Sequence, residues 1–341
     1  MGNSLVGFGT KALLQECHHI TPSLPHAVAY GVGAASAFVG ALYVLVPAHV
    51  RQLDRDDPLQ IQWRTFATAT ACILTIAIYP YNFCRNEDHH LVVPLTPLTT
   101  ITNNNPPVLQ LVGIFSHGAG AKILLGALAH SMVLYVGPML MLLLQVHLIA
   151  RNSRDSNFAR VFWEVYIQPQ ISILTNPHGK VEKWILIRSI LAAPIMEEVV
   201  FRGCIVPPLL QTGTFHAWII AWIAPAFFGL AHCHHAFLKL KQGEPIQRVL
   251  LTTIFQFLYT TLFGAYAAHA FIRSRSIVAV ILSHSFCNSM GLPSLQFLSQ
   301  SSPFYQYWIV LMVAHILGVI GFVWGFTTSL FLPFPGENNE D

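Results

Sequence analysis

Three ionisable residues stand inside one apolar stretch, LAAPIMEEVVFRGC, which begins at Leu191. A charged side chain near the middle of a membrane helix costs roughly 2.5–3.5 kcal/mol to insert, so three together require an explanation. Glu198 and Arg202 are four residues apart, so they share a helix face and are predicted to pair. Glu197 points about 100° away from Glu198, so that pairing does not explain it. A carboxylate in such a helix is a candidate functional residue, and glutamate can act as a general base toward water.

Two further apolar segments carry histidine one helical turn from a second notable residue. PAFFGLAHCHHAF places Phe228 one turn before His232, and VAVILSHSFCNSMGLP places His284 and Asn288 on one helix face. A His–Asn pair in a membrane also fits an interhelical hydrogen bond. A neutral histidine beside Glu197 could polarise a water, while His284 and Asn288 could donate to a developing oxyanion. Together these groups suffice to hydrolyse an amide without a covalent intermediate.

The composition shows what kind of element must position these residues. Hydrophobic residues make up 54% of the 341 residues, charged residues only 10%, and the mean hydropathy is +0.54. A soluble domain carries about 25% charged residues, and a soluble helical core would show charged faces at the helical period. Four stretches without Asp, Glu, Lys or Arg are long enough to cross a bilayer at roughly 20 residues per span. They are 17–50, 123–150, 203–238 and 276–336.

The hydrophobic pattern divides the chain into eight apolar segments. They are 27–48, 65–82, 122–149, 184–210, 215–236, 249–271, 276–292 and 306–332. The predicted fold is therefore an all-α polytopic membrane protein, with about eight transmembrane or membrane-embedded helices and an intramembrane catalytic cavity. We expect a single membrane domain over residues 1–341. Its parts are N-terminal spans over 27–150, core helices with the polar residues over 184–293, and a C-terminal span over 306–332.

The segments between the apolar runs predict the orientation of the chain. The proline- and asparagine-rich connection 83–121 is expected on the membrane surface, and 151–183 is expected to include an interfacial helix. The loops on one side carry eleven basic residues and those on the other side five, so the positive-inside rule makes the first side cytosolic and the N-terminus lumenal. A re-entrant segment would move the C-terminus to the other side. The eleven are Arg51, Arg55, Arg64, Arg151, Arg154, Arg160, Lys180, Lys183, Lys239, Lys241 and Arg248.

Other classes of site are not indicated. The six cysteines are scattered without CxxC spacing, so neither a disulfide framework nor a zinc ribbon is predicted. The net charge of +3 is small and dispersed, which gives no reason to expect a nucleic-acid partner. The first apolar run follows no basic n-region and is expected to be a retained span.

The three polar motifs also carry a family resemblance over residues of about 185–293. APIMEEVVFRGC, FFGLAHCHH and SHSFCNSMGLP resemble the EExxxR, FxxxH and HxxxN motifs of the type II CAAX prenyl endopeptidases, of the Ras-converting enzyme type within the ABI family of membrane proteases. Each motif alone is weak, but all three occur in order on three apolar segments. The motif positions show no departure from the family pattern.

The resemblance implies a protease of the endoplasmic reticulum membrane with its site open to the cytosolic side. Its partners would be the lipid bilayer and prenylated CAAX proteins, such as farnesylated or geranylgeranylated small GTPases, from which it would remove the last three residues. No cofactor is implied. Glu197 and His232 would activate the water, and His284 and Asn288 would form the oxyanion hole. Supporting roles would fall to Glu198, Arg202 and Phe228.

Three other interpretations remain open from the sequence. Cys287 lies between His284 and Asn288, although apolar surroundings disfavour the thiolate that a cysteine protease needs. Glu197, His232 and His284 are a ligand set that zinc accepts, although no HExxH motif is present. A proton-coupled membrane carrier could use the same residues as a relay, although the sequence shows no internal repeat.

Overall fold

The structure is a computed structural model that describes residues 18–19, 21–85, 121–152, 157–175, 179–232, 234–328 and 330–332. Over these residues the chain is helical, with one antiparallel pairing of two-residue strands, β1 (His18–His19) and β2 (Cys84–Arg85). The all-helical class predicted from the sequence is confirmed.

The helices before residue 180 include the first long apolar elements of the chain. Helix α1 begins where Ser23 accepts a hydrogen bond from the His26 amide, 3.4 Å away, and a proline lies in its first turn. These helices are α1 (Leu24–Val44), α2 (Ala48–Arg51), α3 (Pro58–Phe83), α4 (Ala121–Leu134), α5 (Val136–Asn152), α6 (Phe158–Phe162), π1 (Trp163–Ile167) and α7 (Gln168–Thr175).

From residue 180 onward the chain alternates between α- and π-helical turns and then continues as regular helices. Arg275, with φ of 50°, separates α14 from α15, and Gly291, with φ of 65°, follows α15. The elements are α8 (Lys180–Ile187), π2 (Arg188–Ala192), α9 (Ala193–Glu198), π3 (Val199–Cys204), α10 (Val206–Gln211), α11 (Ala217–Ile223), α12 (Pro225–His232), α13 (His234–Lys241), α14 (Ile246–Ser274), α15 (Ile277–Met290), two 3-10 turns (Gln296–Leu298 and Tyr305–Tyr307) and α16 (Trp308–Gly325).

Four described helices are long and apolar enough to cross a membrane. They are Leu24–Val44, Pro58–Tyr79, Ile246–Ser274 and Tyr305–Gly325. A fifth span results if α4 and α5 count as one, but these helices bend by 75° at Tyr135. The hydrophobic pattern had predicted one continuous segment over 122–149. Proline at position 138 explains the bend, because its ring clashes with the carbonyl four residues earlier, at Leu134, where α4 ends. Each of the eight predicted apolar segments contains a described helix, although the helix in the last segment, 306–332, ends at Gly325.

The described chain divides into two compact units. In the first (Met1–Arg51, Trp63–Ala119 and Ile195–Val280), α14 packs along α11 and α12, and π3 contacts α1, α12 and α14. Gly264 of α14 allows a close approach, since a Cβ there would lie 2.8 Å from Pro225 Cβ and 3.3 Å from Arg202 Nη2.

The second unit comprises Gln52–Gln62, Gly120–Pro194 and Ile281–Asp341. Its helix α16 packs against both α4 and α5. A core cluster of Phe297, Phe304 and Leu311 packs against residues of α5.

Several predicted segments fall partly or wholly outside the described residues. The predicted surface connection 83–121 lies outside them from residue 86 to residue 120. The segment 151–183 does contain helices, α6 to α8, and their location at the membrane surface stays a prediction. The single membrane domain also stays a prediction.

Candidate active site

The predicted Glu198–Arg202 ion pair is formed in the first unit, and both side chains are buried. Arg202 Nη1 donates to Glu198 Oε1 over 3.2 Å, and Arg202 Nε lies 3.2 Å from Glu198 Oε2. The exposed fractions of the two side chains are 2% for Arg202 and 0% for Glu198. The first contact is a charge-assisted hydrogen bond and the second is an ion-pair contact, and together they hold the guanidinium against the carboxylate. The pair therefore holds the turn of helix that follows Glu197.

Phe228 joins this pair to His232. The guanidinium carbon of Arg202 lies 4.7 Å from the ring centroid of Phe228, which is a cation–π contact. The Phe228 and His232 rings meet edge to face at 4.5 Å between centroids. A continuous path of contacts thus runs from the first predicted motif, on α9 and π3, to the second, on α12.

The ring of His232 is oriented by its own helix. His232 Nδ1 lies 2.8 Å from the carbonyl oxygen of Phe228, one turn earlier. A carbonyl can only accept, so Nδ1 carries the hydrogen, and in the neutral ring Nε2 is then the nitrogen with the lone pair. That tautomer suits a histidine that accepts a proton or orients a water through Nε2.

Glu197 is partly buried, and α3 forms part of its surroundings. Its neighbour Met196 contacts two side chains of α3. Thr68 Oγ1 lies 3.0 Å from Met196 Sδ, and the Cys72 thiol donates to the Met196 carbonyl over 3.4 Å. Thr68 and Cys72 were not predicted from the sequence to lie near Glu197. The sequence offers one indication of these two residues, because they form a polar pair spaced by one turn in an otherwise apolar helix.

His284 and Asn288 lie on α15, and the described side chain of Asn288 bonds within the second unit. His284 is 5% exposed. Asn288 Nδ2 donates to the carbonyl oxygen of Ser189 over 2.9 Å, and Ser285 Oγ donates to that of Ile190 over 2.7 Å. One of the two amide hydrogens of Asn288 is used in this way. The amide group carries a second hydrogen, which is a donor of the kind that the predicted oxyanion role requires.

The predicted site residues therefore occur as two groups. The structure joins Glu198, Arg202, Phe228 and His232 by direct contacts in the first unit, where Glu197 also lies. His284 and Asn288 belong to the second unit. Among the described residues, no group of three or more His, Cys, Asp or Glu side chains is arranged to hold a metal ion.

These observations define a class: a helical membrane protein whose apolar helices carry a buried Glu–Arg pair linked to a histidine, and a histidine with an asparagine. The Type II CAAX prenyl endopeptidase Rce1-like family matches residues 180–290, which contain all three motifs. The chain is also 30% identical to the human CAAX prenyl protease 2 over 265 residues, covering 76% of this chain and 69% of the relative. The chain belongs to the type II CAAX prenyl endopeptidase family.

Two further relatives match smaller parts of the chain. The probable CAAX prenyl protease 2 of Schizosaccharomyces pombe is 43% identical over 109 residues, which cover 32% of this chain and 40% of the relative. The CAAX prenyl protease 2 of Arabidopsis thaliana is 34% identical over 168 residues, 49% of each chain. No solved structure matches the chain significantly.

Proposed function

We propose that this protein is an intramembrane endopeptidase that removes the C-terminal tripeptide from prenylated CAAX proteins. The observation that carries the proposal is the path of contacts from Glu198 through Arg202 and Phe228 to His232, which joins two family motifs in one structural unit. Family membership and the relatives named CAAX prenyl proteases support the same activity. Family membership and the named relatives give no support to a proton-coupled carrier or to a cysteine protease.

In the proposed mechanism Glu197 and His232 activate a water molecule. Glu197 takes a proton from the water, and Nε2 of His232 orients it. The water oxygen bonds to the carbonyl carbon of the prenylated cysteine, whose oxygen becomes an oxyanion. His284 and the second amide hydrogen of Asn288 donate to this oxyanion. When the C–N bond breaks, the proton held by Glu197 passes to the leaving amine of the tripeptide.

Glu198, Arg202 and Phe228 have supporting roles in this proposal. The Glu198–Arg202 pair fixes the turn after Glu197, and Phe228 stands between the guanidinium and the ring of His232. Because Phe228 is 3% exposed, it also keeps water away from the buried pair. The proposal needs no cofactor, since the water is activated by side chains alone.

The proposed setting is the membrane of the endoplasmic reticulum, with about eight membrane-embedded helices around an intramembrane cavity open to the cytosolic side. A prenyl chain partitions into the bilayer at about 0.8 kcal/mol per buried methylene. The peptide bond next to the prenylated cysteine therefore arrives near the headgroups. The substrates proposed are farnesylated or geranylgeranylated small GTPases.

The proposal is tested with the purified full-length protein in lipid vesicles and a farnesylated CAAX peptide. Mass spectrometry should detect the free tripeptide and the peptide that ends in the farnesylated cysteine. The same peptide without its farnesyl group is the matched control and should be cleaved far more slowly. Wild-type protein that is folded but releases no tripeptide would overturn the proposal. Equal cleavage of both peptides would contradict the proposed specificity for prenylated substrates.

A further inference from the structure

The π2 segment is a junction at which three consecutive residues bond to other parts of the second unit. Arg188 Nη1 donates to the carbonyl oxygen of Arg55 over 3.0 Å and to Asp56 Oδ1 over 2.9 Å. The next two carbonyls, of Ser189 and Ile190, accept from α15. Single π turns within α-helices occur frequently at functional sites. Here the π turn presents two adjacent carbonyls to one face of a neighbouring helix.

The two donors on α15 are Ser285 and Asn288, which are three residues apart and so lie on one face. Ser285 directly follows His284, and Asn288 is the other proposed oxyanion donor. The Ser285 bond, at 2.7 Å, is the shorter of the two and is partly buried. It fixes the rotation of α15 about its own axis, and therefore the directions in which His284 and Asn288 point.

The C-terminal end of α15 is also held by Tyr135, the residue at the bend between α4 and α5. The Cys287 carbonyl accepts from the Gly291 amide over 2.9 Å at this end of the helix. Tyr135 OH donates to the carbonyl of Gly291 over 3.1 Å and lies 3.5 Å from that of Cys287. Its ring, 2% exposed, meets Phe286 edge to face at 5.5 Å. Tyr135 thereby fixes the position of α15 along its axis.

We infer that Ser285 and Tyr135 are positioning residues for the oxyanion pair His284 and Asn288. This inference rests on the proposed function. Neither hydroxyl acts on the substrate; the two hydrogen bonds hold α15 at one rotation and one height. Displacement of a catalytic group by about 1 Å can lower the rate about 100-fold, so loosening either bond acts on kcat.

The test compares Ser285→Ala and Tyr135→Phe with matched controls in the cleavage assay. Ser289→Ala removes a hydroxyl on the same helix that bonds within its own helix, to the Phe286 carbonyl. Tyr166→Phe removes a tyrosine hydroxyl of the same unit that has no hydrogen-bond partner among the described residues. We expect kcat to fall about 10-fold or more in the two test variants, with KM changed less than about twofold. Both controls should keep wild-type kcat, and Ser285→Thr, which retains the donor, should recover activity.

Removal of the whole oxyanion pair separates positioning from general stability. If Ser285 acts through that pair, Ser285→Ala should lower the residual kcat by less than about twofold in protein that already carries both His284→Ala and Asn288→Ala. A full 10-fold loss in that background, or wild-type kcat in both single variants, overturns the inference. If Ser285→Ala does not fold, the kcat of Tyr135→Phe tests the inference, because this variant keeps the ring contact with Phe286. An inactive wild-type protein overturns the proposed function itself, which is a different result.

Discussion

The guanidinium of Arg202 lies over the ring of Phe228, 4.7 Å from its centroid, and the ring of Phe263 lies 5.9 Å away. Arg202 Nη2 is buried and has no hydrogen-bond acceptor among the described residues. The aromatic face therefore provides part of the stabilisation that an acceptor would otherwise give. A cation–π contact of a desolvated arginine is worth about 2 kcal/mol. Phe228 thus stabilises the buried pair and contacts His232 at the same time.

Replacing this ring should affect both stability and catalysis. We expect Phe228→Leu to lower the free energy of unfolding by about 2 kcal/mol and to reduce kcat, because the contacts with Arg202 and His232 are lost together. The measurements are thermal unfolding in detergent and peptide cleavage. Phe38→Leu is the control, since Phe38 packs on Phe201 at 5.5 Å in the same unit. Equal loss of kcat in both variants would show that only packing matters.

The role of Glu197 as the base predicts a selective loss of turnover. Glu197→Gln keeps the size of the side chain but cannot accept a proton from water, so kcat should fall by about 10²–10⁴-fold. Folding and binding of the prenylated peptide should persist. Glu182→Gln, at an exposed position of α8, is the control for loss of one acidic charge. Near-normal turnover of folded Glu197→Gln would contradict the assigned role.

The thiol and metal mechanisms are separated by a different pair of measurements. Cys287 is buried, and the Tyr135 hydroxyl contacts its backbone carbonyl and not its side chain. Cys287→Ala therefore preserves that contact and should retain most of the activity. Chelators should have little effect on the purified enzyme. A folded but inactive Cys287→Ala variant would indicate a thiol nucleophile, and inhibition that zinc reverses would indicate a metal.

The buried ion pair predicts strong coupling between its two members. Removing either partner leaves the other charge buried, which typically costs about 3–5 kcal/mol, whereas removing both costs less. Glu198→Ala and Arg202→Ala should therefore each lower the yield of folded protein more than Glu197→Gln does. The double variant should recover part of the yield of folded protein relative to the single variants. It should recover less of the cleavage activity, because the turn after Glu197 is no longer anchored.

The measurement for this pair is a double-mutant cycle on thermal stability, run beside peptide cleavage. A coupling energy near zero would contradict the contacts of 3.2 Å between the side chains. Glu198 would then require a direct catalytic role.

Local patterns in the sequence were enough to predict the helices and the pairing of Glu198 with Arg202. Both follow from side-chain spacing within one helix. The contacts of Met196 with Thr68 and Cys72 were not predictable, since they join residues over 120 positions apart. Nor were the π turns, because the phase shift that an extra residue causes shows only against a regular amphipathic pattern, which these mostly apolar segments lack. The bend at Tyr135 did have a signal, proline at position 138, which the expectation of one continuous span overlooked.

Two helices that carry proposed catalytic residues are short for the membrane around them. The apolar helix Ala217–His232 is about 24 Å long and Ile277–Met290 about 21 Å, at about 1.5 Å per residue, against a hydrocarbon thickness of about 30 Å. Such hydrophobic mismatch draws the two leaflets together locally, which brings headgroups and water nearer to the helix ends. The energetic penalty is smaller in a thin bilayer, and the endoplasmic reticulum membrane is thinner than the plasma membrane by several ångströms. In the proposed membrane setting, we therefore expect the acyl-chain length of the surrounding lipid to change this protein's stability and turnover.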